Sequence, residues 1–306
     1  MSSPRFEGKF VARTLLFTSG HNPHYLEKAF ASDSDVIVLD LEDAVPASKK
    51  DEARQTITRV LSSDLIDRRP VFVRINPMET GDTLKDLDTV ADARLYGFVY
   101  PKACNAKDME VFDAQLTLKE KNLCIEKGHF KVIALLETPE AVLNAFSIAK
   151  ASSRVIALLF GSEDFLAETE GEHGIGGRSI LAPRHMISMA ARAAGIVPID
   201  TPYVNIGDTE GLKKHIEQAK ELGFEGMLVM SPKEIELVKE YYTPAPDELN
   251  RAREIIDLAE ETNKADRGIS VKKGMFISPP TVSKARKLLD RMNKIEAFEA
   301  FVKNGE

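Results

Sequence analysis

Cysteine is scarce in this chain, tryptophan is absent, and no apolar run approaches the length needed to span a bilayer. The two cysteines, Cys104 and Cys124, have neither the spacing of a disulfide framework nor that of a zinc site, which favours a reducing compartment. The leading stretch MSSPRFEGKF carries no apolar signal region, so the expectation is a soluble, cytoplasmic protein with no membrane partner. Positive charge is also in short supply. Lys and Arg number 41 against 48 Asp and Glu, a formal net charge of −7, and no basic stripe gathers, which argues against a nucleic-acid partner. The six histidines show no metal-ligand spacing, and His173, in a glycine-rich loop, reads as merely solvated. What remains is a chain of 306 residues, enough to bury a large core in one α/β domain with a tail.

The most informative stretch runs from Lys131 to Phe165. Two continuous apolar runs, Val132 to Leu136 and Val155 to Phe160, each end abruptly in carboxylates, the first at Glu137 and the second at Glu163 and Asp164. Apolar runs without alternation are what strands buried on both faces look like. A carboxylate ending such a strand sits at the mouth of a core and needs a partner. Two of them on neighbouring parallel strands would converge, which suits a hard divalent cation with oxygen ligands such as Mg²⁺; Mn²⁺ shares that preference. The competing reading is that each carboxylate caps the following helix, as Thr138-Pro139-Glu140 allows. Because neighbours on a strand alternate faces, Glu163 is expected to point away from Asp164.

Six more apolar runs flank this pair: 14–20, 35–45, 71–77, 97–103, 197–204 and 223–232, each followed by a helical pattern. Eight such units over the first 242 residues are the sequence form of a (β/α)₈ barrel, an α/β fold; a doubly wound sheet is the alternative. Barrel enzymes carry their chemistry at the C-terminal ends of the strands. Here those ends hold Ser19, Asp40, Glu42, Asp43, Arg74, Asn76, Lys102, Glu137, Glu163, Asp164 and Asp200. Arg74 could be a structural partner of Asp40 or Glu42, or a substrate-binding group beside metal carboxylates. Lys102 could form a Schiff base only with a depressed pKa, which the nearby acids oppose. Residues 243–306 read as a helical extension: a polar helix from Pro246, a charged linker, the segment KGMFISPP and a final basic helix.

Taken together, RTLLFTSGHNPHYLEKA (13–29), DVIVLDLEDAV (35–45), VFVRINP (71–77), GFVYPKA (97–103), ALLETPEAV (134–142), FGSEDF (160–165) and the stretch 198–235 resemble the citrate lyase beta-subunit-like family of HpcH/HpaI-type aldolases and acyl-CoA lyases. The resemblance covers essentially the whole chain. It implies a (β/α)₈ barrel with a C-terminal lid, assembled as a homotrimer or hexamer. It makes Glu137 and Asp164 the Mg²⁺ ligands, Arg74 and Arg13 the catalytic and substrate-binding arginines at one pocket floor, and Glu42 and Asp43 supporting acids. Ser19 would line the substrate at the mouth. The implied chemistry is aldol- or Claisen-type cleavage or formation of a β-hydroxyacyl-CoA through an enolate.

Three departures stand out. Ser278 takes the place of an aspartate in the lid segment, Ser19 that of a proline, and Ser231 that of a histidine. A hydroxyl of ordinary pKa cannot do a carboxylate's proton work near neutrality, so another acid substitutes or the reaction differs. An aldolase for a free 2-oxo acid, without CoA, is therefore the second expectation. A non-catalytic binding or scaffold subunit is the third.

Overall fold

A computed structural model describes residues 10–264, 270–272 and 274–304. Residues 12–242 form one compact unit, and residues 243–304, with 10–11, contribute to a second.

The first unit is a closed barrel of eight parallel strands in sequence order: β1 (Thr14–Ser19), β2 (Val36–Asp40), β3 (Val71–Arg74), β4 (Gly97–Tyr100), β5 (Lys131–Leu136), β6 (Val155–Phe160), β7 (Val197–Asp200) and β8 (Gly226–Val229). Around it lie α1 (Pro23–Ala31), α2 (Lys50–Leu61), α3 (Thr83–Val90), α4 (Ala106–Asn122), α5 (Pro139–Leu143), α6 (Ala145–Lys150), α7 (Ser162–Glu168), α8 (Arg178–Ala194), α9 (Thr209–Leu222) and α10 (Ile235–Tyr242). The doubly wound alternative is excluded because β8 pairs with β1. That seam needs a glycine: a Cβ on Gly226 would lie only 1.7 Å from the Ala12 carbonyl oxygen.

Most strands are shorter than their apolar runs. Leu41, Val45, Ile75 and Ala103 lie past the strand ends yet are almost fully buried, so hydropathy does not mark where pairing stops. Helix boundaries follow local chemistry. Asn22 accepts from the His24 and Tyr25 N–H groups at the start of α1, and Asp208 accepts from Gly211 N–H at the start of α9. Pro183 lies inside α8, which begins at Arg178.

Side-chain parity decides what reaches the mouth. Leu16, Ile37, Leu39, Val73, Ala134, Leu136, Leu158 and Phe160 share an apolar cluster with helix residues such as Leu26, Ile57 and Leu87, so this set faces outward. The alternate set (Leu15, Phe17, Val38, Phe72, Ile133, Leu135, Leu159) therefore faces the barrel interior. Continued upward, it ends in Ser19, Asp40, Arg74 and Glu137.

In the second unit, α11 (Pro246–Lys264) packs on α12 (Pro279–Asn304), and β9 (Ser270–Lys272) pairs antiparallel with β10 (Met275–Ile277). Leu258, Ala259 and Ile277 form its apolar centre, with Ile255 and Val282 against them. Among the described residues no helix is long and apolar enough to cross a membrane.

Candidate active site

Strand register sets the first part of the site: Ser19 lies opposite Asp40, and Asp40 opposite Arg74. Asp40 takes Arg74 in a two-pronged pair, Nε to Oδ1 at 2.7 Å and Nη2 to Oδ2 at 2.6 Å. The same carboxylate accepts the N–H groups of Glu42 and Ala44 at 2.8 and 3.0 Å, shaping the loop after β2. Burial would raise the Asp40 pKa, but the Arg74 guanidinium outweighs it and holds the group below its ordinary value. Arg74 packs its guanidinium over Phe17, 5.3 Å from the ring centroid. Its third nitrogen, Nη1, lies 3.0 Å from Glu42 Oε2 and 3.6 Å from Asp43 Oδ2. Beyond this ion pair, the buried Glu42 Oε2 has no hydrogen-bond partner among the described residues. Ser19 Oγ donates to the Ala44 carbonyl and lies 2.7 Å from His21 Nδ1, tying the first two loops together.

Glu137 supplies the second part. It follows β5 and is 2 % exposed. Its Oε1 accepts the Lys102 backbone N–H at 2.9 Å, which the left-handed Lys102 backbone (φ 48°) aims at it. That conformation costs a non-glycine residue roughly 1–2 kcal/mol, an outlier of the kind that gathers at functional sites. Gly161, at the end of β6, presses against the other side: a Cβ there would come within 2.7 Å of Glu137 Cβ and 3.0 Å of Oε2. Asp164 follows on the first turn of α7.

Burial, reinforced by Glu42 and Asp164, pushes the Glu137 carboxyl up to about 8 against the pull of Arg74. Burial also lifts Glu42 to about 7, with Arg74 opposing and Asp43 and Asp40 adding. For Lys102, burial pulls downward, but Glu42, Glu137, Asp164 and Asp43 outweigh it and the ammonium is held above its ordinary range. A Schiff-base lysine needs the opposite shift.

The residues present fit a magnesium ion. Crowded carboxylates driven toward protonation, and a Glu42 oxygen with no hydrogen bond beyond its Arg74 ion pair, are what an oxygen-loving dication would relieve. No group of three or more His, Cys, Asp or Glu in metal-holding geometry occurs among the described residues. Two carboxylates, completed by water and substrate oxygens, match the way Mg²⁺ is usually held.

Arg13 lies elsewhere. It precedes β1 at the opposite end of the barrel, 2 % exposed, with Nε and Nη2 bonded to Asp35 at 2.8 and 2.9 Å. Ser19 is six steps along the strand from it, roughly 20 Å at ordinary strand rise, so Arg13 does not share a pocket floor with Arg74. Asp200 also faces away: its parity is outward, and it pairs with Arg184 of α8 in the buried helix layer. Asn76 bonds to Asp86, with Nδ2 to Oδ2 at 2.7 Å, and accepts from Lys50, whose ammonium also holds the Leu41 and Glu42 carbonyls. Ser231 caps a short 3₁₀ turn. Ser278 precedes α12 and its N–H donates to Thr281 Oγ1 at 2.9 Å. The alternation rule does not apply to Glu163 and Asp164, because both lie on a helical turn rather than a strand. His173 is not merely solvated: its Nε2 lies 2.5 Å from Glu163 Oε1. Asp40, expected as a possible structural partner of Arg74, is that partner, while Lys50 and Gly161 are structural contributors that residue type alone did not single out. Inward parity would have found Gly161.

Residues 13–232 match the HpcH/HpaI aldolase/citrate lyase family model. The citrate lyase subunit beta of Haemophilus influenzae is 34 % identical over 281 residues, 92 % of this chain and 97 % of that protein. The mitochondrial citramalyl-CoA lyase of Rattus norvegicus is 28 % identical, covering 94 % of this chain and 88 % of its own. Among solved structures, the protein CitE from Mycobacterium tuberculosis, in complex with magnesium, acetoacetate and coenzyme A, superposes with a TM-score of 0.74 at 27 % identity, covering 93 % of this chain and 99 % of that one. With the barrel closed, the carboxylates gathered at its mouth and the match spanning all eight strands, the chain belongs to the HpcH/HpaI aldolase/citrate lyase family of lyases.

Proposed function

We propose that this protein is a Mg²⁺-dependent carbon–carbon lyase acting on a β-hydroxyacyl-CoA of the citryl, malyl or citramalyl type. Glu137 and Asp164 would hold the metal, with Glu42 and Asp43 around its water shell. The observation that carries the reading is the crowding of Glu137, Glu42 and Asp164 beside a partly buried, charged Arg74. The relatives add the substrate class: one is a citramalyl-CoA lyase, and a solved one holds magnesium and coenzyme A.

When bound, the metal would supply a concentrated positive charge for the oxygen on which negative charge develops as the carbon–carbon bond breaks. Arg74 supports the same charge from a fixed position. Asp40 holds two of its nitrogens and Phe17 supports its face, so little reorganisation is needed. Nη1 is the part of the guanidinium left turned toward Glu42 and Asp43 and is the natural contact for a substrate carboxylate or carbonyl oxygen. Glu137 is pinned through Oε1 by the Lys102 N–H, which fixes its carboxylate plane. Ser19, joined to Ala44, lines the first-strand side of the mouth.

The test is calorimetric titration of the Mg²⁺-loaded protein with CoA, acetyl-CoA and pyruvate, followed by cleavage assays on the three acyl-CoAs. Binding of the CoA ligands with turnover of one acyl-CoA supports the reading. Binding of pyruvate alone, lost in Arg74→Ala, would move the assignment to a 2-oxo acid aldolase. Binding of none of them would overturn both.

A further inference from the structure

Carbon–carbon cleavage of a β-hydroxyacyl group needs a base for the hydroxyl proton and an acid for the carbon that becomes nucleophilic. The groups described so far are poorly placed for it. Asp40 is consumed by Arg74 and two backbone N–H groups, Glu137 is pinned and assigned to the metal, Glu42 is ion-paired with Arg74 and assigned to the metal's water shell, and Lys102 is kept charged by four carboxylates. Ser278 offers only a hydroxyl. The supply must come from elsewhere at the mouth.

A hydrogen-bond chain with one fixed direction runs along the loop after β6. The Ser162 N–H donates to Thr201 Oγ1 at 3.0 Å, and the Thr201 hydroxyl donates back to Ser162 Oγ at 2.6 Å. Both residues are fully buried. A hydroxyl has one proton to give, so the Ser162 proton goes onward to Glu163 Oε1, 3.2 Å away. His173 Nε2 lies 2.5 Å from that same oxygen. A carboxylate only accepts, so Nε2 carries the proton and Nδ1 is the nitrogen that presents a lone pair. A histidine held in one tautomer by an anchored carboxylate is the arrangement of a base with its orienting partner.

The position is right as well. Gly161, which touches Glu137, is two residues from Glu163, and Asp164 is the next residue on the same turn. His173 returns to this turn after α7 ends at Glu168 and the chain reverses through Glu170, whose backbone is left-handed at φ 54°. The loop then opens α8 at Arg178.

We propose that His173 is the proton-transfer group of the lyase reaction and that Glu163 is its positioning partner. The inference rests on the functional reading above. In the cleavage direction the substrate hydroxyl gives its proton to His173 Nδ1. The C2–C3 bond breaks, C3 becomes a carbonyl, and the bonding pair passes to the acyl fragment as an enolate. The imidazolium then returns the proton to the α-carbon, giving an acyl-CoA and a carbonyl product. Atoms and charge balance with no oxidant or reductant. Condensation runs the same steps in reverse.

The experiment compares the parent with His173→Gln, His173→Gly, Glu163→Gln and Glu42→Gln on whichever acyl-CoA the parent cleaves, with Mg²⁺ affinity measured for each. His173→Gln should lower kcat by roughly 10²–10⁴-fold while KM and Mg²⁺ affinity stay at parental values. Added imidazole should restore turnover to His173→Gly but not to Glu42→Gln, a response that a structural role of the loop would not give. Glu163→Gln should lower kcat by less. Parental kcat in His173→Gln, or rescue by imidazole in Glu42→Gln instead, overturns this inference while the lyase reading stands. If the parent turns over no acyl-CoA, the lyase reading fails and the proton-transfer role with it.

Discussion

Gly161→Ala tests the site through a single methyl group. The backbone there (φ −108°, ψ 98°) is ordinary for any residue, so the penalty is purely one of space. The added Cβ would meet Glu137 Cβ at 2.7 Å, Glu137 Oε2 at 3.0 Å and Leu135 Cδ1 at 3.2 Å. The first of these is about 1 Å inside the optimal carbon–carbon separation of 3.5–4.0 Å. Neither strand can yield easily, because Leu136 and Phe160 are in register and Gly161 N–H donates to the Leu136 carbonyl at 3.0 Å. The side chain that can move is Glu137, by rotating off the Lys102 N–H. Overpacking of this kind costs about 1–3 kcal/mol, partly offset by the 0.4–1 kcal/mol, roughly, that alanine removes from unfolded-chain entropy. If the strain is relieved at Glu137, Mg²⁺ affinity should fall about 10–100-fold, the range seen when a ligand loses its support. Calorimetric Mg²⁺ titration, with thermal unfolding at zero and saturating Mg²⁺, reads both effects. A variant that is destabilised yet binds Mg²⁺ as the parent does would remove Glu137 from the metal site.

Proton and metal should compete openly. With Glu137 lifted to about 8 and Glu42 to about 7, both from an ordinary 4.5, the metal-free native state binds more protons than the unfolded chain between those limits. Metal-free stability should therefore fall as pH rises from about 5 to 8, while Mg²⁺ affinity rises across the same window; unfolding and titration series in which Glu137→Gln keeps the parental pH slope would refute this. Arg13→Met should cost about 3 kcal/mol, near the lower end for a broken buried pair, because Asp35 keeps the Arg13 backbone N–H and has Lys239 at 3.6 Å. Its Mg²⁺ affinity should be parental, and a selective loss of Mg²⁺ binding would return Arg13 to the site. Lys102→Gly keeps the N–H that Glu137 needs, relieves a left-handed backbone and removes a cation that competes with the metal. Tighter Mg²⁺ binding at unchanged or higher melting temperature is expected, and weaker binding would contradict it.

The fold was legible because eight apolar runs each alternate with a helical pattern, and eight such units of similar length favour closure, which the β8–β1 pairing completes. The membership of the mouth was partly legible. Residue type picked out Arg74, Glu42, Asp43 and Glu137, but proximity to a strand end is not direction. Asp200 ends β7 and still turns outward to Arg184, while Asp40 ends β2 and turns inward to Arg74. Counting parity from the strand interior separates the two. Arg13 misled because an arginine beside the first strand is chemically suited to the site while sitting at the wrong end of that strand. The Glu163–His173 contact was illegible for another reason: it closes across ten residues past the end of α7 and a left-handed Glu170, a path no periodicity encodes.

Charge balance at the mouth also fixes an order of events. Asp40, Glu42, Asp43, Glu137 and Asp164 stand against Arg74 and Lys102, five acids to two bases, and the shortfall adds to burial in the upward shifts of Glu137 and Glu42. An anionic substrate entering this mouth without metal would meet Nη1 of Arg74 together with carboxylates that need a proton to tolerate it. A divalent cation brings the count to five against four and lets the carboxylates ionise without protons. Metal should therefore bind first, and substrate affinity should depend on it. By linkage, substrate should tighten Mg²⁺ by the same factor that Mg²⁺ tightens substrate. Titrating an acyl-CoA carrying a free carboxylate at zero and saturating Mg²⁺ should show a gain of at least about tenfold, or 1.4 kcal/mol of coupling. Because low pH supplies the missing positive charge as protons, the gain should shrink from pH 8 to pH 6. Equal affinity with and without Mg²⁺ at pH 8 would mean that the substrate does not meet this carboxylate cluster, and the binding site would have to be sought elsewhere on the barrel.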